Sequence, residues 1–133
     1  MAEKSYRADI LRYAAETYGT VPEYLWKRTP NYAVLRNQAN RKWYGAVMDL
    51  SRKTLGLEGE GVVDILDIKC SPLMIGSLLE QEGYLPAYHM NKNSWITVLL
   101  DGTVPLEQVT SLLDLSYQLT EPKLRKAGKP DTW

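Results

Sequence analysis

The stretch from Gly83 to Leu119 constrains the fold most, because its apolar residues change within one segment from a period of two to a helical period. Residues 95–100 alternate in the way that is typical of a strand with two different faces. Asp101 and Gly102 then form a turn pair, and Pro105 opens an amphipathic segment. We therefore predict a strand, a tight turn and a closing helix.

The remaining elements follow from the same kinds of pattern. Gly19 is placed to end a first helix in a left-handed cap, and Ser71, which precedes a proline, is placed to begin a second helix. The alternation of residues 62–70 breaks near Asp64, where we predict a bulge or a covering loop. These helices are predicted over residues 5–18 and 72–82, and further strands over residues 32–36, 43–50, 62–70 and 84–88. Residues 23–27 also fit a short first strand, which is not counted among the five main ones.

The order of the main elements, α-β-β-β-α-β-β-α, predicts an α+β fold. Hairpin-like links between strands favour a mainly antiparallel five-stranded sheet with helices on one face, which is a two-layer α/β sandwich. No linker divides the chain, so we predict that residues 1–133 form a single domain. We expect the polar tail over residues 121–133 to be mobile.

Alternation also assigns the two faces of the sheet. Within residues 43–50, one set contains the charged Asp49, so we predict that this set points away from the helices. The inward set is then Tyr44, Ala46, Met48 and Leu50, and the outward residues of the sheet include Trp43, Asp67, Lys69 and Trp95. Outward tryptophans predict either an exposed partner surface or a cover made by residues 53–61 or by a second subunit.

Composition excludes several classes of protein. The 133 residues carry a formal net charge of zero, which excludes a uniformly basic nucleic-acid binder. Cys70 is the single cysteine, so an internal disulfide is impossible and a reducing cytoplasm is the expected location. Since no apolar run reaches the roughly 20 residues of a membrane-spanning helix, we expect no membrane partner.

One segment is nevertheless strongly basic. Seven basic residues and one acid lie between Trp26 and Lys53, so this segment carries +6 and the rest of the neutral chain −6. Interleaved cations and aromatic rings can contact phosphates and stack on unpaired bases, although the same residues also suit solvated hairpin tips. The candidate nucleic-acid contacts are Lys27, Arg28, Arg36, Arg41, Lys42, Trp43, Arg52 and Lys53.

His89 lies in a polar connector between two predicted strands. As the single histidine it cannot form a multi-histidine metal site, and no nucleophile or carboxylate stands at a catalytic spacing from it. A structural role, a binding role and a catalytic role stay open for its imidazole. We predict no catalytic residue, no metal and no cofactor. The candidate partner or ligand surface consists of Lys69, His89, Lys92 and Trp95.

Several blocks of residues, in this order along nearly the whole chain, resemble the MmcQ/YjbR-like proteins. The less specific blocks are Tyr18 to Thr20, Pro22 to Trp26, Lys42 to Tyr44 and Ile68 to Pro72. The most specific are Pro86 to Lys92, Trp95 and Ser116-Tyr117. The chain differs from the family pattern at Ala87, Ser94 and Thr120, where the family usually has Gly, His and an aliphatic residue.

The resemblance implies a fold similar to that of type III secretion chaperones, with an antiparallel sheet backed by helices. It also implies DNA binding through a "double wing" of hairpins, and the basic segment points the same way. The sequence therefore predicts a non-enzymatic cytoplasmic module that binds DNA. The alternative is a chaperone- or adaptor-like module that binds a protein through the open sheet face or forms a homodimer.

Overall fold

The computed structural model describes residues 4–122 of the chain. Within that range there are three α-helices and five β-strands, in the predicted order. The predicted mobile tail, from residue 123 onward, lies outside the described residues. The elements are α1 (Arg7–Tyr18), β1 (Ala33–Arg36), β2 (Trp43–Ser51), β3 (Val62–Lys69), α2 (Pro72–Leu78), β4 (Tyr84–Pro86), β5 (Trp95–Leu99) and α3 (Leu106–Thr120).

The five strands form one open sheet in the order β1-β2-β3-β5-β4. All four ladders between neighbouring strands are antiparallel. Antiparallel pairing follows from the connections, because β1–β2, β2–β3 and β4–β5 are joined directly by short links. The predicted α+β class with a five-stranded antiparallel sheet is confirmed.

Local signals place the helix ends. Gly19 has a φ of 68°, and its N–H donates to the carbonyls of Ala14 and Ala15 in α1. This left-handed cap causes little strain because glycine has no Cβ. The Ser71 hydroxyl accepts a hydrogen bond from the Met74 N–H at 3.3 Å, so it is the predicted N-cap of α2. Helix α2 ends at Leu78 rather than near residue 82, because the residues before Gly83 form turns instead of a further helical turn.

The main core lies between the helices and one face of the sheet. Helix α1 contributes Ile10 and Ala14, and α3 contributes Val109 and Leu113, all of them fully buried. Burying one such large aliphatic side chain stabilises the fold by about 1.5–3 kcal/mol. The sheet residues beneath them include Leu66, Ile68, Ile96 and Val98.

The opposite side of the sheet, here called the open face, is covered by loops and has a smaller core of its own. Leu55 and Leu57, from the connector between β2 and β3, pack against it. The sequence left open a cover of the outward tryptophans by this connector, but neither Trp43 nor Trp95 belongs to the cluster against which Leu55 and Leu57 pack. The buried residues of the open face are Ala46, Met48, Leu50, Val63, Ile65 and Leu99.

The prediction that Ala46, Met48 and Leu50 face the helices is therefore wrong. Val47 belongs to the helix-side core, and a Cβ on Gly45 would lie 3.4 Å from Leu113 of α3. The assignment failed because Asp49 was taken to mark the solvent side. Asp49 instead lies at the margin of the helix side, where Asn31 donates a hydrogen bond to it at 3.0 Å.

Tyr44 does face the helices, because the pairing of β1 with β2 is irregular at this end. The register shifts between Leu35 and Arg36, and Arg36 pairs with Trp43. Ser116 of α3 satisfies the backbone at this irregularity: its hydroxyl donates to the Tyr44 carbonyl at 2.6 Å and accepts from the Lys69 N–H at 2.8 Å.

Of the two alternatives predicted near Asp64, the bulge is absent, whereas a loop does cover this part of β3: Leu55 and Leu57 pack against the cluster that contains Val63 and Ile65. The β2–β3 ladder runs without a shift from the Gly45–Ile68 pair to the Ser51–Val62 pair. The alternation of β3 looked broken because both faces of this strand are buried, so apolar residues stand on both sides of it.

The predicted strand over residues 23–27 is reduced to a single bridge between Glu23 and Val34. Its two N···O distances are 2.8 and 3.0 Å. Beyond Glu23 the chain leaves the sheet edge, and Trp26 packs edge-on against Tyr32 and Trp43. Aromatic packing on the open face thus replaces further strand pairing.

Candidate functional site

A pocket of about 590 Å³ lies on the open face. Its floor is formed by β1 and β2, and its walls by the segment before β1 and by the connector between β4 and β5. The volume is within the roughly 300–1,000 Å³ of small-ligand sites. The lining residues are Trp26, Thr29, Tyr32, Ala33, Val34, Trp43, Ala46, Met48, Tyr88, His89 and Met90.

Aromatic rings form the first wall of the pocket. The centroid of the Trp26 ring lies 6.2 Å from that of Tyr32 and 5.9 Å from that of Trp43, in edge-on arrangements. Trp26 is 42% exposed, so part of its ring remains free to contact a ligand. The Arg36 guanidinium lies 5.8 Å from the centroid of Trp43, a cation–π contact that holds the half-buried indole in place.

The second wall is the connector that follows β4. His89 has a φ of 59°, which residues other than glycine rarely adopt, and its ring packs edge-on against Tyr88 with 4.2 Å between centroids. The Tyr88 N–H donates to the Thr97 hydroxyl at 2.9 Å and so fastens the connector to β5. Burial, and then the neighbouring Tyr88 hydroxyl, raise the pKa of Tyr32, which is therefore a neutral hydrogen-bonding group.

Asp67 is a fully buried carboxyl group on the open face. It pairs with Ala46 on one side and with Thr97 on the other. The Thr97 hydroxyl donates to its Oδ1, whereas no group within residues 4–122 donates to its Oδ2. Burial raises the pKa of Asp67 to about 7, although the Thr97 hydroxyl, the Tyr88 backbone and the charge of Lys92 oppose the shift. The carboxyl group therefore titrates near neutral pH.

Cations and indole rings alternate along one end of the open face. The terminal residues of four adjacent strands are, in order across the sheet, Arg36, Trp43, Lys69 and Trp95. The Lys69 ammonium lies 5.7 Å from the centroid of Trp95, which repeats the Arg36–Trp43 contact. Both tryptophans lie on the predicted side of the sheet. Trp95 is only 8% exposed, however, so Trp43 alone of the two borders the pocket.

Three of the predicted nucleic-acid contacts are paired with acids. Arg36 and Arg41 both bind the Glu23 carboxylate, at 3.1 and 2.5 Å. The hydrogen bond from Arg41 is a main cause of the lowered pKa of Glu23. Arg52 binds Asp101 at 3.3 Å. The charge of these three guanidinium groups is thus partly neutralised inside the protein.

The other basic candidates lie in two separate places. Lys27, Arg28 and Lys42 are exposed, and each is next to a pocket residue in the sequence. Lys53 is also exposed but follows the far end of β2, so it lies about 30 Å from Lys42 at roughly 3.4 Å per residue. The structure therefore brings together Lys27, Arg28, Arg36, Lys42 and Trp43, with Arg41 beside them, and leaves Arg52 and Lys53 at the other end of the sheet.

The candidate ligand surface is also divided. His89 lines the pocket, and Lys92 lines a shallower depression of about 440 Å³ beside it. Lys69 and Trp95 contact each other at the strand ends. Within residues 4–122 no group of three or more His, Cys, Asp or Glu side chains could hold a metal ion.

Sequence reasoning missed two parts of this site. Tyr88 was assigned to a predicted strand without a role, although it lines the pocket together with Tyr32. Asp67 was predicted to point away from the helices, which is correct, but its burial was not foreseen. The available signal was an acid between apolar neighbours in a strand whose two faces are both apolar.

Fold and site together define a class of small α+β proteins, in which helices cover one face of an antiparallel sheet and loops form a pocket on the other. This chain belongs to the YjbR family, whose model matches residues 15–119. The predicted MmcQ/YjbR-like membership is confirmed. None of the helices within residues 4–122 is long and apolar enough to cross a membrane.

Relatives and solved structures support the same assignment. The chain is 44% identical over 115 residues to the uncharacterized protein YyaQ of Bacillus subtilis, covering 86% of this chain and 98% of YyaQ. It is 41% identical over 54 residues to the uncharacterized protein YjbR of Escherichia coli K12, covering 40% of this chain and 46% of YjbR. A crystal structure of a Pseudomonas syringae protein matches with a TM-score of 0.84 and 43% identity, over 86% of this chain and 98% of that one. A Deinococcus radiodurans structure, at 23% identity and a TM-score of 0.66 over 98% of this chain and 84% of that one, shares the fold.

Proposed function

We propose that this protein is a non-enzymatic cytoplasmic module that binds nucleic acid as a single strand. The observation that carries the proposal is the aromatic pocket on the open face, with exposed cations around its mouth. Unpaired bases stack on aromatic rings, while Lys and Arg contact the phosphates between them. Both kinds of group stand at the same end of the open face.

The charge around the pocket favours an anionic ligand. Lys27, Arg28 and Lys42 have no acidic partner among the residues from 4 to 122. The nearby carboxylate of Glu23 is shared by two arginines, and Asp67 is only partly ionised at neutral pH because burial raises its pKa to about 7. The local balance is therefore positive although the whole chain is neutral.

The separation of the cations favours a single strand over a duplex. A double-wing interface would use both ends of the basic segment, yet Lys42 precedes β2 and Lys53 follows its far end. A duplex also keeps its bases stacked on one another, so the exposed ring of Trp26 would find no base to contact. A single strand can place its phosphates on the cations and its bases on the rings.

Charge reversal at the pocket mouth tests the proposal. The double substitution Arg28→Glu with Lys42→Glu should weaken binding of a labelled single-stranded oligonucleotide, measured by fluorescence anisotropy. The slope of log affinity against log salt should also become shallower, by about 0.7 for each phosphate contact that is lost.

The matched control is Lys4→Glu with Lys53→Glu, which changes the charge equally at the far end of the molecule. Lys4 lies there beside Gly102, close to the Arg52–Asp101 pair. An equal loss of affinity in the two double variants, or tighter binding of the matching duplex than of the single strand, would contradict the proposal.

A second candidate function is that of a protein-interaction module that forms a homodimer. It is favoured by leucines around a groove of about 190 Å³ between α2 and α3, where Leu119 is 56% and the adjacent Leu73 88% exposed. Grouped exposed apolar side chains are typical of partner surfaces. Leu119→Glu should convert a dimer to a monomer in light scattering, and a wild-type chain that is monomeric at every concentration would exclude this function.

A further inference from the structure

We propose that the pocket on the open face holds one unstacked base of the bound strand, and that it therefore also binds a free mononucleotide. This inference rests on the proposed function and deepens it, because it names the smallest unit that the site recognises. A strand could instead lie flat across the rings without entering the pocket, and the two arrangements make different predictions.

The pocket has room for a base because its floor contains a small side chain. Ala46 is the open-face residue between Val34 and Asp67 in the ladders, and it forms part of the floor. The next open-face residue of the same strand is the much larger Met48. The volume of about 590 Å³ is within the roughly 300–1,000 Å³ of small-ligand sites and suits a base with its sugar.

The chemistry of the walls suits a flat ligand with polar edges. Trp26, Trp43 and Tyr88 all line the pocket, so several aromatic rings can contact a flat ligand. Tyr32 and His89 also line the pocket. They supply the hydrogen-bonding groups that a base edge requires.

The second wall is held in its position by contacts within the protein. Tyr88 is bonded through its N–H to Thr97, and Thr97 in turn donates to the buried Asp67. The left-handed backbone of His89 persists next to this anchor. Strained residues of this kind occur where the surrounding structure enforces them, and they cluster at ligand sites.

Charge separates the inside of the pocket from its mouth. Among residues 4–122, no Lys, Arg, Asp or Glu lines the pocket itself, whereas Lys42 and Lys92 are exposed beside its lining residues. A neutral base would thus lie inside while its phosphate remained at the cations outside. A nucleotide has this distribution of charge, and a fully apolar ligand does not.

Fluorescence of the intrinsic tryptophans provides the first test. A nucleoside monophosphate should quench the emission of Trp26 and Trp43 saturably and should compete with the labelled oligonucleotide. Ribose 5-phosphate, which has the same sugar and phosphate without the base, should do neither. Equal effects of the two compounds would overturn the inference, since the base would then contribute nothing.

Filling the pocket provides the second test. Ala46→Leu should weaken binding of the mononucleotide and the oligonucleotide by about tenfold, which is the typical share of one stacked base, and should leave the salt slope of oligonucleotide binding unchanged. The control Thr54→Leu adds similar bulk at the neighbouring depression and should bind like the wild type. Tyr88→Leu, which removes a wall ring, is the second variant if Ala46→Leu does not fold.

The outcomes separate the inference from the proposed function. Salt-dependent oligonucleotide binding that survives Ala46→Leu, without competition by the mononucleotide, would overturn the base pocket and leave the strand-binding function intact. No binding of any oligonucleotide would overturn both. A loss that is confined to the pocket variants, at an unchanged salt slope, supports both.

Discussion

Asp67 offers a sharp prediction, because its buried carboxyl group must lose a proton although one of its oxygens has no hydrogen-bond donor among residues 4–122. We expect Asp67→Asn to stabilise the protein at alkaline pH. The amide keeps the shape of the carboxyl group and can still accept the hydrogen bond from Thr97, but it never becomes charged. It therefore reproduces the protonated form at every pH.

The size and sign of the effect follow from linkage. Burial raises the pKa of Asp67 in the folded state to about 7, while an unfolded chain has a value of about 3.9. The folded state therefore holds the proton more tightly, and wild-type stability falls as the pH rises from about 4 to about 7 and then levels off. At about 1.4 kcal/mol per pKa unit, the full loss is about 4 kcal/mol, of which about 3 kcal/mol falls between pH 5 and pH 8.

Chemical denaturation at these two pH values measures the effect, with tryptophan emission as the signal. The difference in unfolding free energy between Asp67→Asn and the wild type should be about 3 kcal/mol more favourable at pH 8 than at pH 5. Glu80→Gln removes an exposed acid and serves as the control, for which this difference should stay nearly constant. An equal difference in unfolding free energy between Asp67→Asn and the wild type at both pH values would refute the reasoning, since the carboxyl group would then titrate as it does in the unfolded chain.

Three further predictions concern single contacts. Ser116→Ala should lower the unfolding free energy by about 2 kcal/mol, because two backbone groups at the strand ends lose their partner; the exposed Ser111→Ala on the same helix should be nearly neutral in the same denaturation assay. Gly83→Ala should lower the unfolding free energy by more than about 1 kcal/mol, since its φ is 97° and a Cβ would clash with Val104. Gly76→Ala, with open space around it, should instead stabilise α2 by up to about 1 kcal/mol. Glu23→Gln should tighten oligonucleotide binding and steepen its salt dependence, because it leaves two arginines free for phosphates; unchanged anisotropy titrations would show that these arginines do not contact the strand.

The sequence predicted the fold well wherever a local signal has one physical meaning. Gly19 ends α1 and Ser71 begins α2 as expected, since a left-handed cap and a capping hydroxyl depend only on neighbouring backbone atoms. The strand faces were harder, because alternation gives two sets of residues but does not say which set meets the helices. Asp49 seemed to decide this and gave the wrong answer, since a charge at the margin of a sheet can be solvated on either face.

The candidate site was predicted less completely than the fold. The sequence analysis placed Trp43 among the nucleic-acid contacts and His89 on a separate ligand surface, whereas both line the same pocket. The pocket itself depends on two features that no local pattern contains: the path of the chain after Glu23, which brings Trp26 over the sheet, and the left-handed turn at His89. The distance between Lys42 and Lys53 likewise depends on the extended strand between them, and a count of charges along the sequence does not reveal it.

The position of the pocket has a physical reason that links the fold to the proposed function. Helices bury one face of the sheet in a continuous core, and close packing of regular elements leaves little space there. The open face is covered by loops, whose path is set by turns and by single anchors such as the Tyr88–Thr97 hydrogen bond. The loops therefore leave the space above a small residue such as Ala46 open. Because loops can vary while the helical core remains, a binding site on this face can change its ligand without changing the fold.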